Sequence, residues 1–122
     1  AFCLNHDVGV DIEFMRPQKN IEGMISHVAS PQELLELNKL HGEEKNQAFY
    51  RLWTRKEAFI KAVGRGLGMG LRSIHVGTKE TSLPLGVEYK NETQLEWVIK
   101  DMSSPTDYNL AVCLKNRVID DE

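Results

Sequence analysis

Two acidic residues, Asp11 and Glu13, stand two apart in the stretch VGVDIEFM. On an extended strand that spacing brings both carboxylates out on one face, while Val8, Val10 and Ile12 point the other way. Two carboxylates side by side repel each other unless a cation stands between them. Carboxylate oxygens suit Mg²⁺ or Mn²⁺, and Mg²⁺ is commonly held by one or two carboxylates together with the phosphates of a substrate. About forty residues further on, WTRKEAFIKAVG (53–64) supplies a third acid, Glu57, with Lys56 and Lys61 beside it. Three carboxylates for a divalent metal and two lysines for phosphate oxygens describe phosphoryl-group chemistry. The same residues admit a plainer reading. Asp11 and Glu13 would then line a solvated strand face, Glu57 and Lys61 would form an i,i+4 helix pair, and Lys56 would lie along its apolar neighbours.

These groups must be positioned by a strand and a long helix. At 100° per residue, Phe49, Leu52, Trp53, Phe59, Ile60 and Val63 fall in one arc that also contains Lys56. Glu57, Lys61, Tyr50 and Thr54 border the arc, and Arg51, Arg55 and Arg65 form a basic back with Ala58 and Ala62. The helix is expected from Glu43 to Val63, ending in a left-handed cap at Gly64. A short helix fits residues 20–28, and Ser30-Pro31 opens another that reaches about Leu40. Strands are expected at 1–4, 6–15, 72–76, 85–89, 95–100 and 108–114, with turns at Asn91-Glu92 and Ser103–Thr106. The glycine-rich GRGLGMG (64–70) follows a helix instead of opening one, which excludes the usual nucleotide-binding glycine fingerprints and leaves a flexible turn. The tail NRVIDDE is expected to fray. The fold class is α+β: an antiparallel sheet packed against the long helix.

At 122 residues, 41% hydrophobic and 27% charged, the chain suits one soluble globular domain, 1–122. No membrane-spanning run or signal peptide is visible, and the cytoplasm is the expected compartment. Cys3 and Cys113 lie in apolar stretches without metal-ligand spacing and read as reduced core residues. The net charge of −3 argues against a nucleic-acid partner, yet between Lys45 and Lys79 eight basic residues face one acid, Glu57. That segment suits a phosphate-bearing ligand or an acidic protein.

GVDIE at 9–13, followed by W-x-x-K-E-A-x-x-K-x-x-G at 53–64 and LAVC at 110–113, resembles the signature of the 4′-phosphopantetheinyl transferase superfamily. The resemblance is to the C-terminal half of its larger, surfactin-synthetase-activating type. It implies one half of that fold, and Asp11, Glu13 and Glu57 around a Mg²⁺ on the diphosphate of coenzyme A. Lys56 and Lys61 would contact the phosphates. Glu57 would be the base, directly or through a water, for a serine of an acyl or peptidyl carrier protein, and 3′,5′-ADP would leave. Trp53 would pack and orient the helix, and the basic back would meet the acidic carrier. The larger members have two similar halves, and the smaller holo-acyl-carrier-protein synthases are trimers with sites between subunits. The resemblance therefore implies either a further N-terminal half or a homo-oligomer. A non-catalytic module that binds coenzyme A or a carrier protein, and a Mg²⁺-dependent pyrophosphate hydrolase, stay open as alternatives.

Overall fold

The structure, a computed structural model, describes residues 8–64 and 70–115. The expected strand at 1–4, Cys3, the centre of the glycine-rich turn and the tail after Lys115 lie outside the described residues. The elements run β1 (Val8–Phe14), α1 (Ile21–Val28), α2 (Pro31–Leu37), α3 (Gly42–Val63), a short 3₁₀ turn (Leu71–Ser73), β2 (Ile74–His75), β3 (Glu88–Tyr89), β4 (Glu92–Thr93), β5 (Trp97–Met102) and β6 (Tyr108–Lys115). One antiparallel sheet has the order β1-β6-β5, and a smaller one has the order β2-β3-β4. The α+β expectation holds.

The long helix α3 ends where Gly64 adopts φ 75° and its N–H reaches Ile60 O at 2.9 Å, the left-handed cap that the glycine suggests. Helix α2 opens with a full capping box. Ser30 Oγ accepts from Glu33 N, and the Glu33 carboxylate accepts from Ser30 N. It stops at Leu37, three residues short of the expected end. Residues 72–76 give only a 3₁₀ turn and a two-residue strand. The turn expected at Asn91-Glu92 sits one residue earlier, at Lys90-Asn91, both with positive φ, and Glu92 begins the short strand β4.

Helix α3 lies across the larger sheet, and the core forms between them from Phe49, Leu52, Ala58, Phe59, Ala62, Ile99, Ala111 and Cys113. The helix and β1 meet backbone to backbone at Gly9, where an added Cβ would stand 2.2 Å from Ala58 O and 2.4 Å from Ala62 N. Only glycine on the strand and small residues on the helix permit that approach. β1 therefore turns its Gly9, Asp11 and Glu13 side toward α3. Its apolar side faces out: Val10 is 48% and Ile12 51% exposed.

The basic back of α3 is not a solvent face. Arg55 is fully buried, its Nε and Nη2 donating to the Asp101 carboxylate at 2.9 and 2.5 Å and its Nη1 to Gly77 O at 2.9 Å. Arg51 Nη1 donates to Thr78 O at 2.7 Å. The expectation that these arginines greet an acidic carrier is corrected: the carbonyls of 77–79 and Asp101 cover them, because the loop before β3 packs on that side. Cys113 is buried as a free thiol, and burial pushes its pKa up to about 12.

Candidate active site

The close approach at Gly9 places Asp11 and Glu13 against the Glu57–Lys61 turn of α3. Asp11 is only 4% exposed, and its Oδ1 accepts from Lys61 Nζ at 2.6 Å. Its Oδ2 is buried with no hydrogen-bond partner among the described residues. Burial, then the hydrogen bond to Asp11 and the charges of Asp11 and Glu57, push the Glu13 carboxyl up to about 7, while a hydrogen bond from Trp53 works the other way. Burial and the charge of Asp11 also raise Glu57, against the pull of Lys61. The hydrogen bond to Asp11 raises Lys61, with Asp11, Glu57 and Glu13 adding to it and burial opposing.

Three carboxyls thus crowd one ammonium, and one carboxylate oxygen inside the cluster is unpaired. A divalent cation would supply the missing charge and ligate that oxygen. By donor type the residues fit Mg²⁺ or Mn²⁺. They do not form a closed cage: among the described residues no three His, Cys, Asp or Glu side chains converge enough to hold an ion alone. Mg²⁺ is usually held by one or two carboxylates, with water or phosphate oxygens completing its shell.

Lys61, half exposed at the rim, pairs with Asp11 and also reaches solvent. Lys56 does not, and its expected contact with phosphates is corrected. Its Nζ donates to Val28 O at 2.6 Å and Leu71 O at 2.8 Å and pairs with Glu33 Oε1 at 2.7 Å, which spends all three ammonium hydrogens. Both side chains are fully buried. Burial drives the Glu33 carboxyl up, but Lys56 and the N–H groups of Ser30 and Val76 outweigh it and hold the group below its usual range. Burial lowers Lys56, with Glu33 opposing. Lys56 thus belongs to a clamp joining α3 to the end of α1, the start of α2 and the segment after the glycine-rich turn. Glu33 was missed as a partner, although Ser30-Pro31-Gln32-Glu33 carries a capping box in its letters. Trp53 stacks on Phe49, with ring centroids 6.4 Å apart, and packs the helix as expected; its bond to Glu13 was not foreseen.

A family model for the 4′-phosphopantetheinyl transferase superfamily matches residues 7–113. The chain is 37% identical over 106 residues to the 4′-phosphopantetheinyl transferase ffp of Bacillus subtilis, covering 87% of this chain and 46% of that protein. To the 4′-phosphopantetheinyl transferase AcpT of Escherichia coli it is 33% identical over 104 residues, covering 85% and 50%. The chain spans about half, or less, of the length of the curated relatives it matches. Among solved structures, a holo-(acyl-carrier-protein) synthase of Bacillus anthracis in complex with CoA (3′,5′-ADP) shares the fold. The TM-score is 0.67 at 21% identity, over 91% of this chain and 96% of that one. The holo-[acyl-carrier-protein] synthase of Thermotoga maritima matches with a TM-score of 0.64 at 21% identity, over 91% and 64%.

Proposed function

Because the chain belongs to the 4′-phosphopantetheinyl transferase superfamily, we propose that it transfers 4′-phosphopantetheine from coenzyme A to a serine of an acyl or peptidyl carrier protein, releasing 3′,5′-ADP. The observation that carries this reading is the buried, unpaired Oδ2 of Asp11 within the Asp11–Glu13–Glu57–Lys61 cluster.

Asp11 with one or both of Glu13 and Glu57 would hold Mg²⁺, water or phosphate oxygens completing its shell. When bound, that ion neutralises the charge of the diphosphate. Lys61 releases Asp11 and turns to the phosphate oxygens, a short movement for a half-exposed side chain. Glu57, its pKa raised by burial, takes the serine proton directly or through a water, and a base poised nearer neutrality serves better than an ordinary carboxylate. The serine oxygen bonds to the β-phosphorus as the bond from that phosphorus to the oxygen of 3′,5′-ADP breaks, the electron pair leaving with the nucleotide. Trp53 holds Glu13 in place, and the Lys56–Glu33 clamp fixes the turn of α3 that carries Glu57.

A second α/β unit completes the site. Support comes from the outer face of the larger sheet, where Val10, Ile12, Phe14, Met102, Tyr108 and Leu114 are exposed together. A single folded unit rarely leaves such a surface to water. Another copy of this chain supplies the cover where the chain stands alone. Sedimentation should then show an oligomer that Ile12→Lys dissociates; a monomer with a water-facing sheet would refute it. No helix among the described residues is long and apolar enough to cross a membrane, and the proposed substrates and the free thiol of Cys113 suit the cytoplasm.

The test is the intact mass of an apo acyl carrier protein after incubation with the chain, coenzyme A and Mg²⁺. A phosphopantetheine-sized gain that Glu57→Ala abolishes supports the transferase. The half-length match favours a second reading, a non-catalytic module that binds coenzyme A or a carrier protein. Calorimetry separates the two: Mg²⁺-dependent binding of coenzyme A without mass gain points to a module that needs another half.

A further inference from the structure

We propose that the cleft between the start of α2 and the β2–β4 strands binds a phosphate monoester whose organic part carries hydroxyl groups. The cleft has a volume of about 460 Å³ and is lined by Arg72, Ser73, His75, Glu88, Lys90 and Asn91, with Ser30 at its edge. It shares no residue with the Asp11 cluster and does not rest on the transferase reading.

Charge and orientation point to the ligand. Arg72 and Lys90 bring two permanent cations against one carboxylate, Glu88, in a chain whose net charge is −3. The Arg72 guanidinium has no hydrogen-bond or ion-pair partner among the described residues, which leaves its fork open to phosphate oxygens. Lys90 Nζ lies 5.3 Å from the Tyr89 ring centroid, and its backbone takes φ 53° in the turn between β3 and β4. A lysine is uncommon at positive φ, where glycine or asparagine is easier, so this position carries its side chain at some backbone cost.

His75 is aimed from behind. Its Nδ1 lies 3.0 Å from Ser30 Oγ and 3.3 Å from Oε2 of the fully buried Glu33. A carboxylate on one ring nitrogen fixes the orientation of the imidazole and leaves Nε2 for a ligand in the cleft. The volume lies within the range of about 300–1,000 Å³ usual for small-molecule sites and exceeds what inorganic phosphate needs. The remaining polar groups, Glu88, Asn91, Ser73 and Gln32, suit hydroxyl groups on the ester's organic part.

Nuclear magnetic resonance titration of the whole chain tests the site, with the His75 ring signals identified by their loss in His75→Gln. Glycerol 3-phosphate should shift them saturably, inorganic phosphate should bind at least threefold more weakly, and glycerol should have no effect. Arg72→Gln and Lys90→Gln, both on exposed side chains, should each weaken glycerol 3-phosphate at least tenfold, while Lys61→Met leaves the curve unchanged. A titration that never saturates, or that survives both substitutions, overturns the site. Equal affinity for inorganic phosphate overturns the hydroxyl-bearing part of the assignment.

Discussion

Gly9→Ala adds one methyl group where strand and helix already touch. The new Cβ would sit 2.2 Å from Ala58 O, 2.4 Å from Ala62 N and 2.9 Å from Ala62 Cα. Ordinary contacts of such atoms lie at about 3.5–4.0 Å, so β1 must retreat by roughly 1 Å or more. All three obstacles are backbone atoms of a regular helix, and no rotamer change can relieve them. Overpacking in cores costs about 1–3 kcal/mol, and rigid backbone on both sides puts this case near about 3 kcal/mol. For a domain of this size, between the ranges of about 4–8 °C and 2–4 °C per kcal/mol, the melting temperature should fall by roughly 10 °C. Asp11, two residues on, should move with the strand and lose its bond to Lys61, so Mg²⁺-dependent binding of coenzyme A should fall at temperatures where the variant stays folded. Thermal melting followed by circular dichroism and calorimetric titration measure both effects. Gly86→Ala is the control, because its added Cβ would meet nothing within 4 Å. If Gly9→Ala melts within about 2 °C of the parent, the backbone contact between β1 and α3 is not what positions the carboxylates, and the reasoning fails.

Lys56→Met should destabilise the fold by about 3–5 kcal/mol in urea unfolding, since it strands the buried Glu33 carboxylate. A loss of coenzyme A affinity with unchanged stability would return Lys56 to the ligand site. Lys61→Met should lower transfer about 10²-fold or more while changing urea stability far less than Lys56→Met, because its ammonium is half exposed. Between about pH 4.5 and about 7 the folded chain keeps the Glu13 proton that the unfolded chain has released. The folded state then binds more protons, so stability without metal should fall as pH rises through that window. Glu13→Gln should flatten the slope in melting curves recorded from pH 4 to 8; an unchanged slope would assign it to another group.

The elements that obey one local rule were legible in the sequence. The capping serine of α2, the glycine after Val63 and the alternation of β1 each appear in the structure. Period-two alternation places Asp11 and Glu13 together, but it cannot say which side of a strand is inside. The usual rule would bury Val10 and Ile12; instead the acids go in, because only the Gly9 side fits against Ala58 and Ala62. The fate of Lys56 and Arg55 was hidden for a related reason. Their partners, Glu33 and Asp101, lie 23 and 46 residues away in the chain, beyond the reach of any periodic pattern. The short strands β2 to β4 carry too few residues for alternation to register.

Among the described residues β1 has a single neighbour in the larger sheet, β6, and the two pair from Val8 with Leu114 to Phe14 with Tyr108. β1 therefore waits for β6. During synthesis α3 can form while Asp11 and Glu13 remain on an unpaired segment, until roughly a hundred residues later the strand that secures them emerges. Closing so long a loop slows folding more than it weakens the finished fold. A nascent chain should thus have no fixed carboxylate cluster to offer a metal ion until β6 has emerged and paired with β1.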